Sequence, residues 1–384
     1  MFLLRLELTP EQELIEKRIE IHMEPLPSYV KEYVLAKKRA GMSSDTLLQY
    51  IYRFEHFFNW LLTEGIVKVN KIADIPYKEL EVLKKSTVEF YIDHLKNENI
   101  AKDSSKVQYR GKSVVDLSIH ALKSLFNYLT TETEDEETGE CYFDRNVMKK
   151  IKTEKDKESA SYRARQISSK ILNGEEIQDY LYFIEHEYHE TLENNKQKAD
   201  FKRNFERDLA INSIILGSGV RVGEVAKMKL KDINFRKKYI NVIRKGNKPD
   251  SVPVMDDALA DLKRYLDVRL ERYPNAKECD YVFVTNYRKK DSDKSVIPLS
   301  RRSIQNIVDK YTAAFNGSEK GMSPHKLRHS FAADYLRNGG NIVLLRDQLG
   351  HNDIKTTSLY TNLANKDSEM VLQRMEQNRK SRDK

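Results

Sequence analysis

Between Asn146 and Gln166 the chain loses its inside and its outside. Residues on either side of this stretch carry a regular apolar rhythm. Here the sequence is polar, dense in lysine and arginine, and almost without an apolar period. Such a segment buries too little apolar area to offset the entropy of ordering it. It therefore argues against a single continuous core and reads as a linker between two. A length of 384 residues suits two domains, or three.

The two flanks differ in kind. Upstream, Val30, Tyr33 and Val34 begin an amphipathic stripe after Pro27 and Ser28. Leu47, Ile51, Phe54, Phe58 and Leu61 recur at steps of four and three, which line one helix face. Val88, Tyr91, Ile92 and Leu95 form a third stripe. Val115, Ile119, Leu122, Phe126 and Leu129 form a fourth, with Ser113 and Asp116 as its start signal. Trp60 and its neighbouring phenylalanines read as core. The acidic run Glu132 to Glu140 reads as a solvated loop with Gly139 at a turn.

Downstream, helix and strand alternate. Helices are expected over Tyr180 to Glu190, Arg207 to Gly217 and Asp256 to Tyr273, and from Ser300, Pro324, Asn341 and Asp353 onward. Tyr239 to Ile243 and Ser251 to Val254 read as strands joined by a polar turn around Gly246 and Asn247, and Tyr281 to Val284 as a further strand. The fold class is mainly α with a small antiparallel β-sheet (α+β): an N-terminal helical bundle and a mixed domain. The expected limits are an extension over 1–25, the bundle over 26–145, the linker over 146–166, the mixed domain over 167–365 and a tail over 366–384.

A net charge of +8 favours a polyanionic partner. No apolar run reaches the length of a membrane span, and Arg5 and Glu7 interrupt the opening Met1-Phe2-Leu3-Leu4, so neither membrane nor signal peptide is expected and the location reads as cytoplasmic. Cys141 and Cys279 lie too far apart in sequence for a metal-ligand spacing. No Walker, His-Glu-x-x-His or dinucleotide-binding glycine pattern occurs, so no metal and no cofactor is expected.

The chemistry concentrates in Arg221, Lys245, His325, Arg328, His351 and Tyr360. Two guanidiniums can hold a phosphate, imidazoles can donate to its oxygens, an ammonium can protonate a leaving oxygen and a phenol can attack. Arg221 precedes Glu224 by one helical turn, so Glu224 can fix the guanidinium. Ser323 and Pro324 start a helix that carries His325 and Arg328 in its first turn, where free backbone N–H groups favour an anion. His329 reads as structural and pointing elsewhere. Gly350 ends one helix and His351 stands at the corner before the next. Tyr360 is one of 21 tyrosines and is singled out only by its place nine residues after His351. Lys245 sits where a strand enters a turn, with Lys248 its rival as proton donor.

These motifs and their order resemble the tyrosine recombinase/integrase family: Gly-Val-Arg221-Val-Gly-Glu224, a hairpin lysine in Arg244-Lys245-Gly246-Asn247-Lys248, His325-Lys-Leu-Arg328-His329, Leu349-Gly350-His351, then Tyr360. The hairpin, Asp74-Ile75-Pro76 and Arg145 to Lys150 are similar to Xer recombinases, in the form that works as a single protein. Ser330 departs from the threonine common in the family, with no loss of activity expected.

The resemblance implies a two-domain clamp on double-stranded DNA with Tyr360 as nucleophile, and Arg221 and Arg328 on the phosphate. His325 and His351 are then donors, with His325 also a candidate to accept the phenolic proton, and Lys245 is the acid. A 3′-phosphotyrosyl intermediate would need neither metal nor ATP. The resemblance also implies a tetramer on two DNA sites and a tail that contacts a neighbouring protomer through Met370, Val371 and Met375. Chromosome-dimer resolution is the expected role, with a DNA translocase as a candidate partner. A mobile-element integrase or resolvase with the same chemistry and a non-catalytic DNA-binding protein stay open as alternatives, while the length of the N-terminal helical domain and the absence of a long coiled linker argue against a type IB topoisomerase. Lys102, Lys106, Arg110, Arg163, Arg165, Lys248, Arg301 and Arg302 are candidate DNA contacts, each equally well read as a solvated charge or, for Lys248, as the acid.

Overall fold

The computed structural model describes residues 10–101, 106–153, 162, 166, 170–244, 248–287, 295–350 and 360. The chain divides into two units, Met1–Asp156 and Lys157–Lys384. Each has its own apolar core. Among the described residues no helix is long and apolar enough to cross a membrane.

The first unit is built from helices α1 (Pro10–Met23), α2 (Ser28–Arg39), α3 (Ser44–Thr63), α4 (Tyr77–Glu81), α5 (Lys85–Asn97) and α6 (Lys112–Thr131). The Ser43 hydroxyl caps α3 by accepting from Thr46 N–H at 3.3 Å. All five members of the expected stripe on α3 are buried, with Phe57 and Trp60 beside them. The start of α6 differs from expectation: Gly111 is its N-cap, no side chain caps it, and Ser113 and Asp116 lie inside the helix.

Two expected boundaries move. The segment assigned to a 1–25 extension contains α1, which packs on α3 and buries Ile19, with Leu26 following. The first residues of the expected 146–166 linker belong to the first core. A 3-10 turn at Val147–Lys150 places Val147, Met148 and then Ile151 in the first core, while Lys149 and Lys150 stay exposed. Three apolar side chains among lysines have no visible period, yet one tight turn gathers them on one side.

The second unit comprises α7 (Glu175–Tyr182), α8 (Asn195–Ser218), α9 (Val222–Lys227), α10 (Asp256–Arg272), α11 (Arg301–Phe315), α12 (Pro324–Arg337) and α13 (Ile342–Leu349). Between them lie β1 (Ile233–Asn234), β2 (Tyr239–Arg244), β3 (Lys248–Pro253), β4 (Val284–Tyr287) and β5 (Ser295–Pro298). Strands β1-β2-β3 form one antiparallel sheet and β4-β5 a second. The β2–β3 register ends with Arg244 opposite Lys248.

Helix α8 starts earlier than its apolar run, because Asn194 and Gln197 form a reciprocal capping box ahead of a polar first half. Its buried half holds Asp208, which accepts from Arg207 (2.7 Å), Lys310 (3.2 Å) and Tyr311 (3.2 Å), so this charge is fully compensated in the core. The strand expected at Tyr281 to Val284 begins only at Val284. The Arg269 guanidinium collects the carbonyls of Ala276, Cys279, Tyr281 and Val282, and this pulls the segment out of regular strand geometry.

Candidate active site

The site grows from two helix ends. Helix α8 stops at Gly219, whose φ is +68°, and a Cβ there would stand 2.4 Å from the Phe331 ring. Both the left-handed backbone and the close ring require glycine. The chain then extends through buried Val220 to Arg221, the N-cap of α9. Helix α13 stops at Gly350, with φ +60°, where a Cβ would lie 2.7 Å from Arg244 Nε.

The last carbonyls of a helix lack intrahelical donors and carry the negative end of its dipole. In α13 three successive ones each receive a guanidinium. Arg244 Nη2 donates to Gln348 O (2.8 Å), Arg328 Nη2 to Leu349 O (2.6 Å) and Arg221 Nη2 to Gly350 O (3.0 Å). Arg328 Nη1 also donates to Gly219 O at 2.7 Å, joining the two helix ends.

Glu224 is the buried counter-ion. It accepts from the Arg221 backbone N–H (2.8 Å), from Arg221 Nη1 (3.1 Å) and from Arg244 Nη1 (3.0 Å). The expected Arg221–Glu224 pairing is therefore present, and it is shared with Arg244. Arg244 lies one residue before Lys245. Its strand position suggested no role in this site; a long charged side chain at a buried position of an otherwise apolar strand is the signal for one.

Arg328 is 1% exposed and Arg221 about a third. Burial, then the charge of Arg221, pushes Arg328 down to about 9, so it remains a cation at neutral pH. The site thus holds more positive charge than Glu224 alone offsets, which suits it to an anion. His325 stands at the start of α12, as expected, although Ser323 makes no side-chain cap there. The protein around its ring and the charges of Arg328 and Arg221 lower its pKa. Ser330, the family departure, is fully buried and accepts from Leu172 N–H at 2.9 Å.

Tyr360 is 1% exposed among Ile171, Phe331, Ala332, Ala333, Leu345 and Leu349. Burial pushes its phenol up to about 12, against the opposing pull of Arg328 and Arg221. Its hydroxyl bonds His329 Nδ1 at 2.5 Å. This corrects the reading of His329 as pointing elsewhere: on α12 it follows Arg328 directly and turns towards the phenol. The His325 ring packs edge-on against the His329 ring, 4.2 Å between centres.

Lys245 and His351 lie outside the described residues, as do Lys102, Arg163, Arg165, Met370, Val371 and Met375. Lys248 is exposed on β3, Arg302 is exposed on α11 and Arg301 half-buried beside it, and Lys106 is exposed in the first unit. Arg110 is occupied internally. It bonds Glu98 and donates to His56 Nε2 at 3.1 Å, so a guanidinium stands where His56, His94 and Glu98 could otherwise gather a cation.

Residues 182–367 match the phage integrase family model. A tyrosine recombinase XerS of Lactococcus lactis subsp. lactis is 37% identical over 362 residues, covering 94% of this chain and 99% of the relative. A tyrosine recombinase XerS of Streptococcus sanguinis is 36% identical over 366 residues, covering 95% and 99%. Among solved structures, XerH site-specific recombinase bound to palindromic difH substrate has a TM-score of 0.56 at 19% identity, covering 87% of this chain and 80% of that one. A lambda integrase dimer bound to a COC′ core site has 0.53 at 16% identity, covering 87% and 94%. At these identities the two structures bear on the fold.

Proposed function

This chain belongs to the tyrosine recombinase family, and we propose that it cuts and rejoins double-stranded DNA at a specific site through a 3′-phosphotyrosyl bond to Tyr360. The observation that carries the reading is the guanidinium set on the end of α13, with the charges of Arg221 and Arg328 felt at the Tyr360 phenol.

A scissile phosphate seated between Arg221 and Arg328 has its non-bridging oxygens neutralised where charge builds during in-line attack. Both side chains are already anchored to backbone carbonyls, so little reorganisation accompanies the reaction. Glu224 keeps Arg221 oriented. His325, held neutral by its surroundings, and His351 add hydrogen bonds to the phosphate. Lys245, with Lys248 as its rival, protonates the departing 5′ oxygen. The phosphotyrosyl ester conserves the bond energy, and a 5′ hydroxyl from a second duplex completes the exchange. Since protein covers the Tyr360 hydroxyl, binding of DNA must open a path to it.

The names of the relatives support a role in resolving chromosome dimers. The same reading assigns DNA binding to the helical unit, four protomers to two DNA sites, tail contacts between protomers and a DNA translocase as candidate partner.

The test is a covalent trap. Wild type and Tyr360→Phe are incubated with nicked suicide duplexes carrying candidate sites, with EDTA present, and run on a denaturing gel. A protein–DNA band that disappears in the variant is expected. A band that persists in Tyr360→Phe moves the nucleophile elsewhere.

A further inference from the structure

We propose that His329 is a catalytic residue: its Nδ1 accepts the phenolic proton of Tyr360 as the phenol oxygen attacks phosphorus. This deepens the recombinase reading and rests on it. The two rings lie 5.3 Å apart, tilted by 51°, with Nδ1 and the hydroxyl oxygen 2.5 Å apart. Among the described residues His329 is the hydrogen-bond partner of that hydroxyl.

The need for an acceptor follows from the phenol's surroundings. Burial pushes Tyr360 up to about 12, and the nearby Arg328 and Arg221 oppose this only in part. At neutral pH the phenol keeps its proton, so the proton must leave as the new bond forms. An acceptor must sit within hydrogen-bond reach, and His329 already does. His325, expected from its motif position to take this proton, packs against the His329 ring instead.

The step balances as follows. Neutral His329, with its proton on Nε2, takes the Tyr360 hydroxyl proton on Nδ1 and becomes an imidazolium. The phenol oxygen uses the freed electron pair to form the O–P bond. The P–O5′ bond breaks, and O5′ keeps that electron pair and takes a proton from the hairpin lysine. Rejoining reverses each transfer, so His329 returns the proton to the tyrosine.

The experiment measures single-turnover cleavage of the suicide duplex by His329→Asn. Asparagine can still hydrogen-bond the phenol but cannot carry its proton. A fall of roughly 10²–10⁴-fold is expected, the usual size of general-base catalysis, with DNA affinity and thermal midpoint close to wild type. His329→Gln replaces it if asparagine lowers the midpoint.

A purely structural histidine would also slow cleavage, so a second readout is decisive. The acidic phenol 3,5-difluorotyrosine is installed at position 360 in both backgrounds. It needs less help to lose its proton, and it should recover at least about tenfold in the His329 variant while changing the parent far less. A His329 variant within about threefold of wild type, or no recovery with the fluorinated residue, overturns the proposal. Adduct formation by Tyr360→Phe would instead sink the recombinase assignment of Tyr360, so the two failures are distinct.

Discussion

Replacing Arg244 by methionine keeps most of the side chain's length and removes its guanidinium. The lost contacts are the pair with Glu224 (3.0 Å), the pair with Asp250 (2.9 Å) and the bond to Gln348 O (2.8 Å). Arg244 and Glu224 side chains are 7% and 5% exposed. Breaking a buried pair by removing one partner costs about 3–5 kcal/mol. Glu224 keeps Arg221, and Asp250 is partly open to water, so the lower end applies, about 3 kcal/mol. For a unit of this size each kcal/mol moves the melting midpoint by roughly 2–4 °C, which gives a drop of about 6–12 °C.

Scanning calorimetry should show that drop in the transition of the second unit, with the first unit's transition unmoved. A double-mutant cycle with Glu224→Gln should give a coupling within the range of about 0.5–3 kcal/mol seen for residues in contact. A shift under about 2 °C, or two variants that simply add, would refute the view that Arg244 ties the hairpin to the end of α13.

Two further outcomes follow from the same structure. Surroundings lower the His325 pKa below 6.5, so the folded protein binds that proton less readily than the unfolded chain. Its share of stability is full above about 6.5 and is lost as pH falls through the lower folded value; NMR titration of His325 should show a depressed midpoint that rises when DNA phosphate binds, and a midpoint at or above 6.5 in the free protein would contradict this. Arg110→Ala should destabilise the first unit by about 1.5–3 kcal/mol, the value of hydrogen bonds to charged groups, and leave the salt dependence of DNA binding unchanged. A shallower salt slope in that variant would instead make Arg110 a phosphate contact.

The sequence alone determined whatever depends on local order. Helix period placed the α3 stripe, since neighbours at three and four residues share a face whatever surrounds them. Gly350 marked a helix end because a left-handed residue is a local steric demand. The spacing of Arg221 and Glu224 was enough to pair them. Val147, Met148 and Ile151 escaped this logic, since one short turn has no period to detect. The strand expected at Tyr281 was displaced by Arg269, a residue on another element.

The centre of the site belongs to tertiary structure. Gln348, Leu349 and Gly350 present carbonyls to Arg244, Arg328 and Arg221, which come from a strand, a helix and a helix cap more than twenty residues or more than a hundred away in sequence. The turn of His329 towards Tyr360, across 31 residues of chain, is likewise set by packing around α12. Residue type and order announced that a phosphate could be held and attacked. Which nitrogen faces which oxygen was decided by how the helix ends meet, because hydrogen-bond geometry across a fold depends on three-dimensional placement that no local pattern encodes.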